Sequence, residues 1–380
     1  MPHWLLAQKL TDILPPHTGP TVCWPLLPHC APLHVFSPLQ IHLGLALYTL
    51  LGLATMAAFL RQHVRPGWWL LLLLALGKIA ILALDYRLRL NQHLMTAMLT
   101  FAFLLLPDRR RVLRYLLIAF YFWAGLLKLT PEWLNGTALY ARHPLGIPDA
   151  LLPLACQYVV VLEVVLVFGL LSRRPWLFWL TFAQLGLFHL ASWPVVNFYY
   201  PLLMLTLLLI FPLDRQFPPL EIPRPRLQIA TIALFSVLQL IPQLFPGDVQ
   251  LTGEGRLWAL HMFDVPLECQ VVLTPHGPQG QPGRPRPLPV AGLSNRILCD
   301  PLVYASAVQD VCAHRPPQVR TLDLRLLSRR TGEPLFHLLV DAPDVCGQPL
   351  RYSLLRHNPW ILSGNQRLPA QPGVPELRGR

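Results

Sequence analysis

Leu39 to Leu60 reads LQIHLGLALYTLLGLATMAAFL and Trp68 to Leu84 reads WWLLLLLALGKIAILAL, two runs whose only full charge is Lys78. Crossing the hydrocarbon core of a bilayer takes about 20 mostly apolar residues in helical form. Both runs reach or approach that length. Six more follow: Gln92 to Leu106, which is the shortest, Val112 to Leu129, Leu151 to Leu171, Pro175 to Ser192, Pro194 to Pro212 and Leu227 to Phe245. Inside lipid every backbone N–H and C=O needs an internal partner, and these runs lack the two-residue alternation of a barrel strand. The sequence therefore predicts an all-α multi-pass membrane bundle of eight helices.

Composition agrees. Of 380 residues, 53% are hydrophobic and 13% charged, against about a quarter charged in soluble globular chains. The net charge of +12 would suit nucleic acid, but most arginines flank the apolar runs, so the bilayer is the expected partner and nucleic acid is not. No phosphate-binding glycine loop, paired-cysteine zinc spacing or Gly-x-Ser-x-Gly elbow occurs, so nucleotide, structural-zinc and acyl-transfer chemistry lack a motif, and no metal site is expected. Met1 to Leu14 carries Lys9 and Asp12 and lacks a small-residue cleavage site. Targeting is expected from an internal helix.

Loop charge sets the expected orientation. One side collects Arg61, Arg65, Arg109, Arg110, Arg111, Arg114, Arg173, Arg174, Arg215, Arg224 and Arg226; the other holds Lys9, Arg87, Arg89, Lys128 and Arg142. Short cytoplasmic loops attract Lys and Arg. The first side is thus expected in the cytoplasm, and the amino terminus, the Lys128 loop and everything after Phe245 outside it, in a periplasm or lumen. Cys23, Cys30, Cys269, Cys299, Cys312 and Cys346 all fall on that exterior side, an even set that an oxidising compartment can bridge in any of fifteen pairings, while Cys156 stands apart.

Beyond the last run the chain becomes proline-rich with period-two alternation, as at Gln270 to Thr274 and Thr321 to Ser328. Thr321 to Leu327 and Leu335 to Asp341 read as a hairpin turning at Arg330 to Pro334, and Asp300-Pro301 as the cap and first turn of a helix running to His314. The expected division is an exterior segment 1–38, a membrane domain 39–245, a small α+β, β-rich exterior domain 246–363 and a disordered tail 364–380. His276 to Pro289 is expected to be a mobile loop.

Ionisable groups within a membrane are costly unless paired or hydrated. Lys78 and Glu163 lie at matching depth near the midplane, so they are expected to pair, as a structural brace or as part of a proton relay or transport path. A second group gathers near the exterior helix ends: Asp85, Arg87, His93, Lys128, His189 and Asn197. Taken singly, Lys128 reads as a snorkelling lysine and His93 or His189 as a packing histidine. Their shared level makes them a candidate site, because partial removal from water favours the neutral amine, which is the form a base requires.

Tyr121-Phe122-Trp123-Ala124-Gly125-Leu126-Leu127-Lys128-Leu129, followed by Glu132-Trp133-Leu134-Asn135-Gly136, resembles the vitamin K-dependent γ-carboxylase and the wider horizontally transferred transmembrane domain family. Asn91-Gln92-His93, Phe188-His189 with Asn197 to Pro212, Glu163 to Arg174, and more loosely Leu257 to Met262 and Asp300-Pro301 agree with it in order and spacing. The resemblance implies a short bacterial-type member in the inner membrane that uses reduced vitamin K or a related quinol, with oxygen and carbon dioxide, to carboxylate a peptide glutamate or perform related carbanion chemistry on an exterior substrate. It implies Lys128 as the base that deprotonates the hydroquinone and His93 as its assistant. His189, Asn197, Trp133 and Arg87 would line the cavity. The animal carboxylase has a much larger lumenal region, so substrate capture is expected to differ. The competing classes are a non-enzymatic membrane binding or assembly protein and a transporter, the latter resting on Lys78 and Glu163.

Overall fold

The computed structural model describes the chain apart from residues 1–8, 16–19, 28–29, 108, 140–142, 197–198, 216–224, 261–265, 289, 295–296 and 379–380. Helix α1 (Pro38–Leu60) opens on a capping box, in which the Ser37 hydroxyl accepts from the Gln40 N–H and Gln40 Oε1 accepts from the Ser37 N–H at 2.8 Å. Leu39, Leu43, Leu47 and Leu50 on α1 are exposed, as expected of a helix solvated by lipid. Helix α2 (Val64–Ala83) returns alongside, and the Tyr48 hydroxyl of α1 donates to the Leu74 carbonyl at 3.1 Å.

The remaining bundle helices are α3 (Asn91–Leu105), α4 (Arg109–Leu126), α5 (Leu152–Val164), α6 (Pro175–Ala191), α7 (Tyr199–Leu208), α8 (Ile210–Arg215) and α9 (Pro225–Leu240). A 3₁₀ segment Leu166–Leu171 extends α5, and another, Ile241–Leu244, extends α9. Their shared core is built from Leu99, Leu116, Phe120, Leu162, Phe178, Leu185, Met204 and Phe235.

Among the described residues, four stretches are long and apolar enough to cross a membrane: Pro38–Leu60, Val64–Ala83, Asp149–Leu171 and Arg226–Leu244. Eight spans were expected, some of them only approaching that length, and the others fall short for local reasons. Helix α3 has 15 residues and α6 has 17. The first turns of α4 contain Arg109, Arg110, Arg111 and Arg114, which lower its mean hydropathy. In the run Pro194 to Pro212, residues 197–198 lie outside the described residues, and a turn at Leu209 separates α7 from α8.

The carboxyl-terminal region is an antiparallel sheet with one helix packed on it. Strands β1 (Leu267–His276), β2 (Arg286–Pro287), β3 (Thr321–Arg330), β4 (Phe336–Ala342), β5 (Arg367–Leu368) and β6 (Leu377–Arg378) run in the order β2-β1-β3-β4-β5, with β6 also on β1. Alternation along β3 buries Leu322, Leu324 and Leu326. Leu327, next along the pleat, faces the opposite side and meets Phe336 and Leu338, and the register shift beside it leaves Leu339 of β4 as the extra residue of a bulge. Gly332 turns the β3–β4 hairpin at φ +95°. Helix α10 (Pro301–Ala313) begins at Asp300, whose carboxylate accepts from the Leu302 N–H at 3.0 Å, and covers the sheet with Val303, Tyr304 and Ala307.

Three disulfides form, Cys23–Cys30, Cys269–Cys299 and Cys312–Cys346, and Cys156 is free and buried. The second and third staple the two ends of α10 to the sheet. Two expectations need correcting here. Residues 364–380 were expected to be disordered, yet they supply β5, paired with β4, and β6, paired with β1. Part of the supposed loop His276 to Pro289 is likewise ordered, with β2 paired to β1 and a bridge between His276 and Pro282.

Buried polar groups seat the sheet domain on the α2–α3 connection. Tyr86 belongs to the sheet-domain core, and its hydroxyl donates to Asp300 Oδ2 at 2.9 Å. Arg89 donates to the Tyr86 hydroxyl at 3.1 Å and also to the Arg256 carbonyl.

Candidate active site

Lys128 follows the end of α4, its N–H donating to the Gly125 carbonyl at 3.1 Å. The next turn, Pro131–Leu134, is capped by Thr130 and brings Trp133 back against the bundle, where its indole N–H donates to the Cys156 carbonyl at 3.0 Å. Lys128 Nζ lies 5.2 Å from the Trp133 ring centroid and 5.7 Å from that of Phe188. Only 6% of the lysine is exposed. It is not splayed into solvent.

Its polar partner is the buried carboxylate of Glu163 on α5, in a hydrogen-bonded ion pair. The pair depends on a close approach of two helices. A Cβ on Gly125 would sit 2.7 Å from Val164 Cγ2 and 2.8 Å from Glu163 Cβ, so glycine is what lets α4 and α5 meet there. The amine and the carboxylate share one hydrogen bond, so a proton delivered to the pair has two adjoining sites to occupy. Such a couple can take up a proton at Lys128 and pass one to Glu163.

Two turns back on α4, the Tyr121 hydroxyl lies 2.6 Å from His189 Nε2. His189 is fully buried, with ring centroids of Phe188 at 4.9 Å, Tyr121 at 5.7 Å and Tyr200 at 5.9 Å. Its Nδ1 has no hydrogen-bond partner among the described residues. A buried ring nitrogen left open is unusual, and it marks a place where a hydroxyl-bearing ligand would gain a bond. Lys128, Glu163, His189, Tyr121, Trp133 and Phe188 thus make one cluster.

The other expected site residues lie elsewhere. His93, on the first turn of α3, is buried, and its Nδ1 also lacks a partner among the described residues. Its neighbourhood is that of Lys78 and Thr96, not Lys128: the Lys78 ammonium donates to Thr96 Oγ1, which in turn donates to the His93 carbonyl at 3.0 Å. The expected Lys78–Glu163 pair does not form, because Glu163 is taken by Lys128. Arg87, expected at the cavity wall, is a fully buried strut, with Nε and Nη2 on Asp85 at 2.9 and 2.8 Å and Nη1 on the Ala291 carbonyl at 3.0 Å. Asn197 lies outside the described residues.

Tyr121 was missed by the sequence reading, although its spacing of seven from Lys128 puts both on one helix face. The tie from the Lys128 loop to the sheet domain was missed as well. Arg330 at the end of β3 lies 3.3 Å from Glu132, pairs with Asp248 and bonds Glu333 at 3.2 Å. No local pattern announces a contact that joins positions 132, 248 and 330. No protein family, curated protein or solved structure matches the chain.

Proposed function

We propose that this protein is a membrane enzyme resembling the vitamin K-dependent γ-carboxylase, with Lys128 and Glu163 as its proton-accepting couple. The observation that carries the reading is a lysine almost wholly withdrawn from water, joined to a buried carboxylate and walled by Trp133 and Phe188. The open Nδ1 of His189 and the rings of Tyr121, Phe188 and Trp133 fit a hydroxylated aromatic ligand. A reduced quinone held there would supply an acidic hydroxyl and the electrons that reduce oxygen. Lys128 would receive the hydroxyl proton, Glu163 would relay it, and His189, held by Tyr121, would orient the ring. The base so formed would take a C–H proton from the exterior substrate, a peptide glutamate or a smaller carbon acid, and carbon dioxide would add to the carbanion.

We place eight helical passes in the membrane and the sheet domain on the exterior face, of a bacterial inner membrane. The arginine distribution and the three disulfides support that orientation. Incubating the purified protein with vitamin K hydroquinone and oxygen, and measuring the quinone epoxide, tests the reading. Wild type produces epoxide and Lys128→Ala does not; equal output from both excludes the assignment.

One observation favours a second reading. A lysine and glutamate that satisfy each other also suit a purely structural brace in a membrane binding or assembly protein. That protein produces no epoxide in any variant. The transport reading has lost its main argument, since Lys78 and Glu163 are not partners.

A further inference from the structure

The chain has three lysines and one deeply buried membrane glutamate between them. Glu163 neutralises Lys128. Lys78 is left with a hydroxyl: among the described residues its polar partner is Thr96 Oγ1, and no carboxylate lies within ion-pair distance. The nearest acid on the same connection is already occupied. Asp85 accepts from the Arg87 backbone N–H, from Arg87 Nε and Nη2, and from the Val22 N–H, with His34 Nε2 at 3.3 Å.

Position matters as much as charge. Lys78 lies five residues before the end of α2 and Thr96 five residues after the start of α3, which puts both about 8 Å below the helix ends. Lys78 therefore lies nearer the sheet-domain end of α2 than the midplane expected from sequence. Lys78 is only half-buried, so it is reachable from the bilayer, whereas His93 behind it is 4% exposed with an unpartnered Nδ1. Lys9 lies within electrostatic reach of the same ring. Asp85 offsets the charge of Lys9, so the ammonium of Lys78, beside an open imidazole nitrogen, is the one left without a carboxylate among the described residues.

We propose that the cleft between α2 and α3 binds the phosphate of an anionic phospholipid from the leaflet on the sheet-domain side. Lys78 supplies the main charge, Thr96 positions it, and His93 Nδ1 completes the oxyanion cradle. A phosphate there would satisfy groups that the chain itself leaves open, and lipid acyl chains would continue along the exposed faces of α1 and α2. The site is separate from the Lys128 cluster and does not depend on its chemistry.

The test uses the full chain in mild detergent, with bound lipid counted by native mass spectrometry. Phosphatidylglycerol is retained by wild type and by Lys78→Arg, and about fivefold less by Lys78→Gln, as expected for one ammonium–phosphate contact near the membrane surface. Diacylglycerol, which lacks the phosphate, is not retained, and inorganic phosphate at equal concentration does not displace the lipid. Undiminished retention in Lys78→Gln overturns the proposal, as does equal retention of diacylglycerol. Full displacement by inorganic phosphate also overturns it, in favour of a free-ion site. If Lys78→Gln does not fold, the wild-type lipid comparison and the Lys78→Arg variant still decide.

Discussion

Gly125 shows how one position controls the chemistry of two others. Its missing side chain permits the α4–α5 approach on which the Lys128–Glu163 pair rests, and any Cβ would meet Val164 and Glu163 below 3 Å. Gly125→Ala is therefore expected to lower stability by about 1–3 kcal/mol through overpacking, read as a lower Tm in detergent. Activity should fall further than stability, because the helices must part where the ion pair sits. Tyr121→Phe removes the hydrogen bond to His189 Nε2 without changing the fill of the core. We expect it to leave Tm nearly unchanged and to raise KM for the quinol, the signature of a lost orienting contact. At this scale the sequence was partly legible. Lys128 stood out through the outer level it shares with His93 and His189, but the partner of Glu163 was misread as Lys78: depth along a helix says nothing about which faces oppose. Helix α4 packs on α5, so Lys128 reached Glu163 before Lys78 did.

Elements carry the links between the two halves of the chain. The end of β3 presents Arg330 to Glu132, Asp248 and Glu333, tying the hairpin to the loop that holds Trp133 beside Lys128. The carboxyl of Glu333 is partly buried, yet the Arg330 N–H and guanidinium hold it below its ordinary range. At the other end of the sheet, the Gly280 carbonyl and Asp323, against slight desolvation, raise His276 above its usual value. A protonated ring donates from Nδ1 to Gly280 O and from Nε2 to Asp323 Oδ2, whereas a neutral ring can donate only once. Because the folded-state value is raised, this stabilisation is complete below about pH 6.5 and is lost as pH rises through that raised value. Amide exchange in the 276–283 turn should accordingly be slower at pH 6 than at pH 8 after correction for intrinsic rates, and His276→Gln should abolish the difference. The hairpin and α10 were legible because alternation and an Asp-Pro start are local signals. The strands β5 and β6 were not, since two-residue strands have no periodicity and gain their order from β4 and β1.

The whole molecule combines a lipid-facing bundle with a disulfide-stapled sheet domain seated on it through Tyr86, Arg89 and Asp300. Membrane class followed from composition alone, but the number of full-length helices did not, because the turn at Leu209 that ends α7 is set by how the bundle packs. Cysteine number suggested an oxidising compartment, and only the fold could choose among the pairings. The proposed exterior placement of the sheet domain predicts that protease added outside intact spheroplasts removes a carboxyl-terminal tag and that reductant is required to release α10; protection of the tag would contradict it. Cys312→Ser should cost about 2–5 kcal/mol of sheet-domain stability. The proposal that Lys128 and Glu163 act as one proton-accepting unit is tested most directly by comparing epoxide turnover in Lys128→Ala, Glu163→Gln and the double variant. A shared role predicts that each single change removes nearly all turnover and that the double loses no more. Full turnover in Glu163→Gln, or losses that multiply in the double variant, would contradict it.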